Sequence, residues 1–299
     1  MKVVVAGGTG FLGRALSQSL ASDGHDVCLL SRGAGDRTFK TVQWTPNGGS
    51  GPWASAIDGA DAVVNLAGES IAAKRWTAAQ KQWILDSRVQ ATRSLAAAIQ
   101  GCLKPPSVFV SGSAVGYYGP LSDDVATEDT PPGSDFLARV CVTWEEEARR
   151  AGTPRTRVTC IRTGLVLAKD GGALPPMLPP FRFGAGGPVG SGRQYWPWIH
   201  RQDWVDLVRW AMRTPESGAA INATAPNPVT NRELSKALGR ALHRPAVFPV
   251  PKFAVTALRG GELADAVAGG ARVLPRRALD LGYEFRHTDI DEAMRSALR

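Results

Sequence analysis

The sequence predicts an α/β protein: a doubly wound parallel sheet followed by a smaller, mostly helical C-terminal domain. Three observations predict it. Short, almost wholly apolar runs recur along the first half of the chain, and segments with helical spacing separate them. The first run breaks directly into a glycine cluster, VVVAGGTGFLG, at residues 3–13. After about residue 165 the alternation gives way to a stretch rich in Gly, Pro and aromatics, and then to further helical patterns.

Residues 2–6 read as a short buried strand. Residues 11–22 read as a helix, with apolar side chains at 11, 12, 15, 16 and 20. The second strand is 26–31 (DVCLLS), the third 42–44, and the fourth 61–66. Thr77-x-x-Gln80 has the form of a capping box for a long helix that runs to about Gln100. A strand at 107–111, a helix at roughly 134–150 and a strand at 157–162 complete the series. Strands that are apolar on both faces belong to a parallel sheet covered on both sides. Residues 171–200 read as a long functional loop region. Helices follow at 203–213 and at 231–242, the latter opened by the capping box Thr230-x-x-Glu233. The expected division is a nucleotide-binding domain at 1–164 and a substrate-side domain at 165–299.

A chain of 299 residues can bury one large or two modest cores. Its 43% hydrophobic and 21% charged composition is that of a soluble globular protein. The net charge of +8 is spread evenly: 20 basic and 16 acidic residues lie in 1–199, and 15 and 11 in 200–299. With no basic block, nucleic acid is a poor partner and an anionic small molecule a good one. Cys28, Cys102, Cys141 and Cys160 form no C-x-x-C pair, so reduced thiols are expected rather than a zinc site or a disulfide framework. No stretch reaches the roughly 18–20 apolar residues of a membrane span. The apolar run after Lys2 ends at Gly7 and Gly8, too early for a signal peptide. A cytoplasmic protein with no membrane partner and no metal is therefore expected. Its oligomeric state is not encoded in any of these features.

The glycine cluster carries the first chemistry. Gly7, Gly10 and Gly13 are spaced G-x-x-G-x-x-G, and Gly8, Gly10 and Gly13 also satisfy G-x-G-x-x-G. Such glycines allow a tight turn, close approach of the backbone to a pyrophosphate, and close packing of helix on strand. The first helix amides then face the phosphate. A position between strand and helix at the start of a βαβ unit is the context that gives the pattern meaning. The expected contacts come from Gly7, Thr9, Gly10, Phe11, Leu12 and Gly13. The second strand ends in Ser31-Arg32, nineteen residues past Gly13, where an NAD site usually places a carboxylate. A guanidinium there can grip a 2′-phosphate bidentately, so Ser31 and Arg32 point to NADP(H).

AGGTGFLG at 6–13, NLAG at 65–68 and SGSAVGYYG at 111–119 resemble an extended short-chain dehydrogenase/reductase. The whole chain resembles the epimerase-like group labelled SulA-type or nucleoside-diphosphate-sugar epimerase. WIHRQD at 198–203, INATAPNPVTNRE at 221–233 and VLPRRALDLGYEF at 273–285 are similar to that group's C-terminal segments. The resemblance implies a Rossmann-like nucleotide-binding domain. It also implies that Leu66, Ala67 and Gly68 line the adenosine and the nicotinamide ribose, and that Arg88 reaches toward the cofactor. Ser111 and Ser113 would end their strand beside the nicotinamide, and Arg162-Thr163-Gly164 would close the far side of the pocket.

Active members of this superfamily use Tyr-x-x-x-Lys, in which the lysine lowers the pKa of the proton-exchanging tyrosine. Here the tyrosines are 117, 118, 195 and 283, and four residues after them stand Leu121, Ser122, Ile199 and His287. Phe136 and Val140 occupy the corresponding helix positions. Ser113, the usual hydroxyl-binding serine, remains, and Tyr118 is the nearest phenol; these two are the catalytic candidates. With no lysine close by, Tyr118 is expected to keep a pKa of about 10. Asp135, Glu69 and His200 are further candidates, although Asp135 also fits a helix cap and His200 a hydrogen-bonded structural role. The WPWIH segment with Arg193 reads either as a substrate grip or as a Trp-rich plug. The expected function is an atypical NADP(H)-dependent oxidoreductase or epimerase for a small, sugar-like or anionic substrate. The alternative is a non-catalytic NADP(H)-binding sensor or assembly protein.

Overall fold

Val3, Val4 and Val5 are all fully buried, on both faces of their strand, as a central parallel strand requires. The computed structural model describes residues 1–33, 38–72, 74–121, 123–251, 253, 256 and 260–299. Its first strands are β1 (Lys2–Ala6), β2 (Asp26–Ser31), β3 (Lys40–Gln43), β4 (Ala62–Asn65) and β5 (Val108–Ala114). After the short β6 (Val125–Ala126) come β7 (Arg157–Thr163), β8 (Leu165–Ala168), β9 (Gly171–Gly172), β10 (Trp198–His200), β11 (Ala219–Ala223) and β12 (Arg272–Val273). Seven of these form one sheet in the order β11-β7-β5-β4-β1-β2-β3, with every pairing parallel.

Helices cover both faces. On one side α1 (Phe11–Ser22) presents Leu16 and Leu20 to Val3, Val5 and Leu29. On the other, α2 (Ala78–Gln100) and α3 (Phe136–Arg149) bury Leu95, Ile99 and Ala148 against Val4, Val63 and Phe109. The remaining helices are α4 (Leu178–Arg182), α5 (Arg201–Arg213), α6 (Asn231–Leu242), α7 (Gly261–Gly269), α8 (Arg276–Asp280) and α9 (Ile290–Ala297). Helix α5 packs Trp204, Leu207 and Val208 on the α1 face of the sheet. Helices α6 and α9 enclose a separate core with Trp196 and Trp198.

The element order follows the sequence reading, with differences that have local causes. β5 runs three residues further than expected, because its pairing with β7 continues to Ala114↔Thr163. Gly112 is tolerated there because the ring of Trp144 fills the space a Cβ would need, at 3.0 Å. Thr77 does cap α2, accepting from the Gln80 amide at 3.1 Å. The reciprocal half of that box is missing, since Gln80 Nε2 is buried without a partner. At α6 both halves are present. The region 171–200 is not bare loop: it holds α4, and β10 pairs with β8. The last strand of the large sheet, β11, and helix α5 both come from beyond residue 164, so the sheet draws on chain from each side of that position. Among the described residues no helix is long and apolar enough to cross a membrane.

Candidate functional site

The glycines of the first turn are required for two different reasons. Gly7 has φ +76°, and a Cβ on it would lie 2.7 Å from the Leu66 carbonyl at the end of β4. A Cβ on Gly13 would lie 2.2 Å from the Gly7 oxygen, so the helix could not seat on the turn. These two positions are filled by the protein itself. At Gly10 a Cβ would approach only the Gly7 oxygen, at 3.2 Å, and the residue is exposed. The space above Gly10 is therefore kept open without any demand from internal packing. Gly10 also caps α1 with an extended backbone and no side-chain acceptor, so the first-turn amides are available to an anion. Phe11 packs under Gly171 and Gly172, and Leu12 packs against the core. Their side chains are structural, and only their backbone faces the turn. Thr9 is exposed beside them.

Next to this turn, β2 ends at Ser31, whose Oγ accepts from the Gly33 amide at 3.3 Å. Arg32 is exposed and has no acidic partner among the described residues. Across the turn, buried Asn65 donates to Thr92 Oγ1 at 2.8 Å and accepts from the Ala67 amide at 3.1 Å. These bonds shape the bend that sets Leu66, Ala67 and Gly68 beside Gly7. Half-buried Arg88 lies against Gly68 and stacks over Trp144, with Cζ 5.1 Å from the ring centroid. The turn, Arg32, the 66–68 bend and Arg88 thus line the carboxyl edge of β1, β2 and β4. A dinucleotide fits such an edge, with its pyrophosphate in the Gly10 cradle.

The residues expected around the reacting centre are arranged otherwise. Ser113 donates its hydroxyl proton to Glu145 Oε1 at 2.8 Å. Arg162 meets the same carboxylate in a two-pronged pair, at 2.8 and 3.0 Å. Its Nη1 donates to Tyr118 Oη at 3.0 Å and to the Glu128 carbonyl at 3.2 Å. Tyr118 in turn donates to Asn222 Oδ1 at 2.6 Å. Three expectations need correction. Tyr118 does not keep an ordinary pKa: burial pushes it up to about 12, despite the opposing pull of Arg162. Arg162 does not offer a free guanidinium to a cofactor, because its donors are engaged by Glu145, Tyr118 and the Glu128 carbonyl. Ser111 is fully buried and turns its Oγ to the Gly112 carbonyl at 3.2 Å, so its hydroxyl is not presented to a nicotinamide.

The absent Tyr and Lys have apolar replacements. Phe136 meets Trp76 edge-on with centroids 5.3 Å apart, and Val140 is buried. Asp135 is the cap of α3, accepting from the Ala138 amide at 2.7 Å. Glu69 is half-buried, and its amide is held by Ser87 Oγ. His200 caps α5, where Nδ1 accepts from the Gln202 amide at 3.1 Å. Its ring stacks on His287, with centroids 3.8 Å apart. Burial, then the charges of His287 and Arg201, push the His200 pKa down to about 4. Asp203 completes a group of three potential metal ligands with these histidines. Its oxygens already accept from the Arg286 and His287 amides, and Oδ2 lies 3.0 Å from His287 Nδ1. Trp196 and Trp198 are buried in the second core, so WPWIH behaves as a plug. Arg193 is exposed.

Glu145, Glu128 and Asn222 were not singled out in the sequence. A signal existed for the first: Glu145 lies on the buried stripe of α3 with Ala138, Cys141 and Ala148. A carboxylate at a core-facing helix position calls for a buried cation.

A glycine-turned dinucleotide edge on a seven-stranded parallel sheet, completed by a second helical core, defines an epimerase-like member of the extended short-chain dehydrogenase/reductases. The chain belongs to the NAD dependent epimerase/dehydratase family, which it matches over residues 3–224. Residues 250–297 match a domain of unknown function, DUF1731. The chain is 41% identical to the epimerase family protein SDR39U1 of Bos taurus, covering 100% of both proteins. It is 42% identical to the chloroplastic SDR39U1 homolog of Arabidopsis thaliana, covering 100% of this chain and 87% of that protein. A crystal structure of human SDR39U1 (isoform 2) with NADPH matches with a TM-score of 0.92 and 37% identity, over 99% of each chain.

Proposed function

We propose that this protein is an NADP(H)-dependent oxidoreductase or epimerase that acts on a small, anionic or sugar-like molecule without a Tyr-x-x-x-Lys pair. The observation that carries the cofactor is the open cradle at Gly10 beside exposed Arg32, which has no acidic partner among the described residues. The NADPH in the human relative's structure supports it. In this reading the backbone of Gly7, Thr9, Gly10, Phe11, Leu12 and Gly13 holds the pyrophosphate. Ser31 and Arg32 hold the 2′-phosphate, and Leu66, Ala67 and Gly68 line the groove. When bound, NADP(H) supplies or takes up a hydride at the nicotinamide. Residues 1–164 hold the cofactor, and 165–299 cover the substrate side. Four free cysteines, three of them buried, fit a reducing compartment, and the cytoplasm is the proposed location.

Ser113 and Tyr118 act in this reading beneath the reacting centre. Because Ser113 gives its proton to Glu145, its oxygen keeps lone pairs to accept from a substrate hydroxyl. Tyr118 acts through Arg162, which fixes Glu145, and is a positioning residue. A phenol raised to about 12 is a poor base near neutrality, so turnover is slow.

A second reading is favoured by one observation: Phe136 and Val140 are apolar, and both candidate hydroxyls point inward. It makes the protein an NADP(H)-binding sensor or assembly factor. Titration calorimetry with NADPH and NADH, followed by stopped-flow absorbance of the reduced nicotinamide with a panel of carbonyl compounds, separates the two. Consumption of NADPH supports the oxidoreductase, and tight binding without consumption supports the sensor. Failure to bind either nucleotide overturns both.

A further inference from the structure

Strand β12 comes to the reacting edge from near the end of the chain. It pairs with β6 through Arg272↔Val125 and Val273↔Ala126. Ala271 and Val273 are buried in one cluster with Tyr118, and Val115 and Tyr117 pack against it. β12 therefore sits beside the turn at the carboxyl end of β5, where the reading above puts the reacting centre. Neighbouring residues of a strand face opposite ways, so Arg272 is turned away from that apolar cluster. Its guanidinium lies over the Tyr195 ring, with Cζ 5.3 Å from the centroid.

The fold makes no use of this cation's donors. Arg272 is half-buried and has no carboxylate within ion-pair distance among the described residues, and its Nε is buried with no hydrogen-bond partner. Two other partly buried arginines show the alternative. Arg157 donates to Thr159, to Ser217 and to the Ala211 and Met212 carbonyls. Arg277, five residues past Arg272, donates to the Ala220 carbonyl and to Asp129. Leaving a buried donor without an acceptor costs stability that nothing else in the fold recovers. Stacking on Tyr195 orients the guanidinium plane and leaves its N–H edge open. Exposed Arg193, two residues before Tyr195, adds a second positive charge to the same stretch.

We infer that Arg272, held flat against Tyr195, grips an oxyanion of the substrate, a phosphate or a carboxylate group. The Nε–H and one Nη–H point the same way and match two oxygens of either group, an arrangement that a lone hydroxyl cannot fill. A grip on the C-terminal side fixes one end of the substrate while the other end meets the nicotinamide. It also makes a negative charge on the substrate a condition of binding. This inference deepens the reading above of a small anionic substrate and rests on it.

The test reads the Arg272 Nε–H resonance of the 15N-labelled full chain, saturated with NADPH so that the cradle and Arg32 are occupied. The resonance is assigned by its disappearance in Arg272→Lys. Titration with inorganic phosphate, and separately with acetate, is expected to shift it where sodium chloride of equal ionic strength does not. A response to either anion supports the grip: phosphate alone points to a phosphorylated substrate, acetate alone to a carboxylic acid. In Tyr195→Leu the response should weaken by about threefold, because the guanidinium loses its platform. No response to either anion, or an equal response to chloride, overturns the assignment. Arg272→Met should melt at or above the wild-type temperature without ligand, since it removes a buried donor that has no acceptor. A markedly lower melting temperature, or failure to fold, shows a structural cation and overturns the assignment as well. A wild-type protein that does not bind NADPH overturns the cofactor reading, and the same titrations of the nucleotide-free chain then decide on Arg272 separately.

Discussion

Arg162 and Glu145 meet in a two-pronged ion pair, Nε to Oε1 at 2.8 Å and Nη2 to Oε2 at 3.0 Å, with side chains 3% and 0% exposed. Ser113 and Arg149 share the same carboxylate. The pair joins β7 to α3 at the edge where the reacting centre is expected. Breaking it from one side strands a charge in the interior. Glu145→Gln should therefore destabilise the protein by about 3–5 kcal/mol in urea unfolding. Replacing both partners, Glu145→Leu with Arg162→Met, should lose less than the single change. A double variant that loses the sum of both single effects contradicts this account.

The two kinds of glycine in the first turn separate cleanly. Gly13→Val forces a side chain into the Gly7 carbonyl and should lower the melting temperature strongly. Gly10→Val faces only mild crowding and should fold with an unchanged circular-dichroism spectrum. It should nevertheless lose binding of NADPH and NADH alike, because its methyls enter the pyrophosphate cradle. Wild-type NADPH affinity in Gly10→Val rules out the cradle.

Arg32→Asp tests the choice of nucleotide. Losing the charge-assisted hydrogen bonds should weaken NADPH binding by about 1.5–3 kcal/mol, with a further loss from repulsion. NADH, which has no 2′-phosphate, should change far less. Equal losses for the two in calorimetry mean that Arg32 does not read the phosphate.

His200 supplies a pH dependence with a definite sign. Its pKa falls from the ordinary 6.5 to about 4 on folding, through burial first and then His287 and Arg201. Between those values the unfolded chain binds the proton more readily than the folded one. The contribution is complete above about pH 6.5 and is lost as the pH drops toward 4. Fully buried Asp203, which holds His287 Nδ1 at 3.0 Å, faces the same pair. His200→Asn keeps a helix cap but removes the titration, so thermal melts across this window should flatten. An unchanged slope assigns the pH dependence to other groups.

Features set by near neighbours in the chain were legible without coordinates. The capping box at Thr230 and the cap at Asp135 appear where the spacing placed them. The helices at 136–149 and 231–242 fall within two residues of the expected bounds. Ser113 and Tyr118 were named from the sequence, but the partners of their hydroxyls, Glu145 and Asn222, were not. Whether a serine points at a ligand or at Glu145 depends on a helix that the spacing around Ser113 does not describe. The Trp-rich segment posed the same question, and burial in the second core answered it.

Alone, the sequence determined the parallel α/β architecture, the glycine turn, Arg32 at the tip of the second strand and the loss of Tyr-x-x-x-Lys. Each depends on periodicity or spacing within a few turns of chain. Only the tertiary structure decided that Arg162 serves Glu145, that burial pushes the Tyr118 pKa up to about 12, and that the Trp144 indole N–H is buried without a partner. The contacts responsible join residues 17 to 104 positions apart, from Arg162–Glu145 to Tyr118–Asn222. A hydroxyl's partner and a buried group's charge follow from what the folded chain brings alongside and what it shields from water. Local spacing does not carry that information.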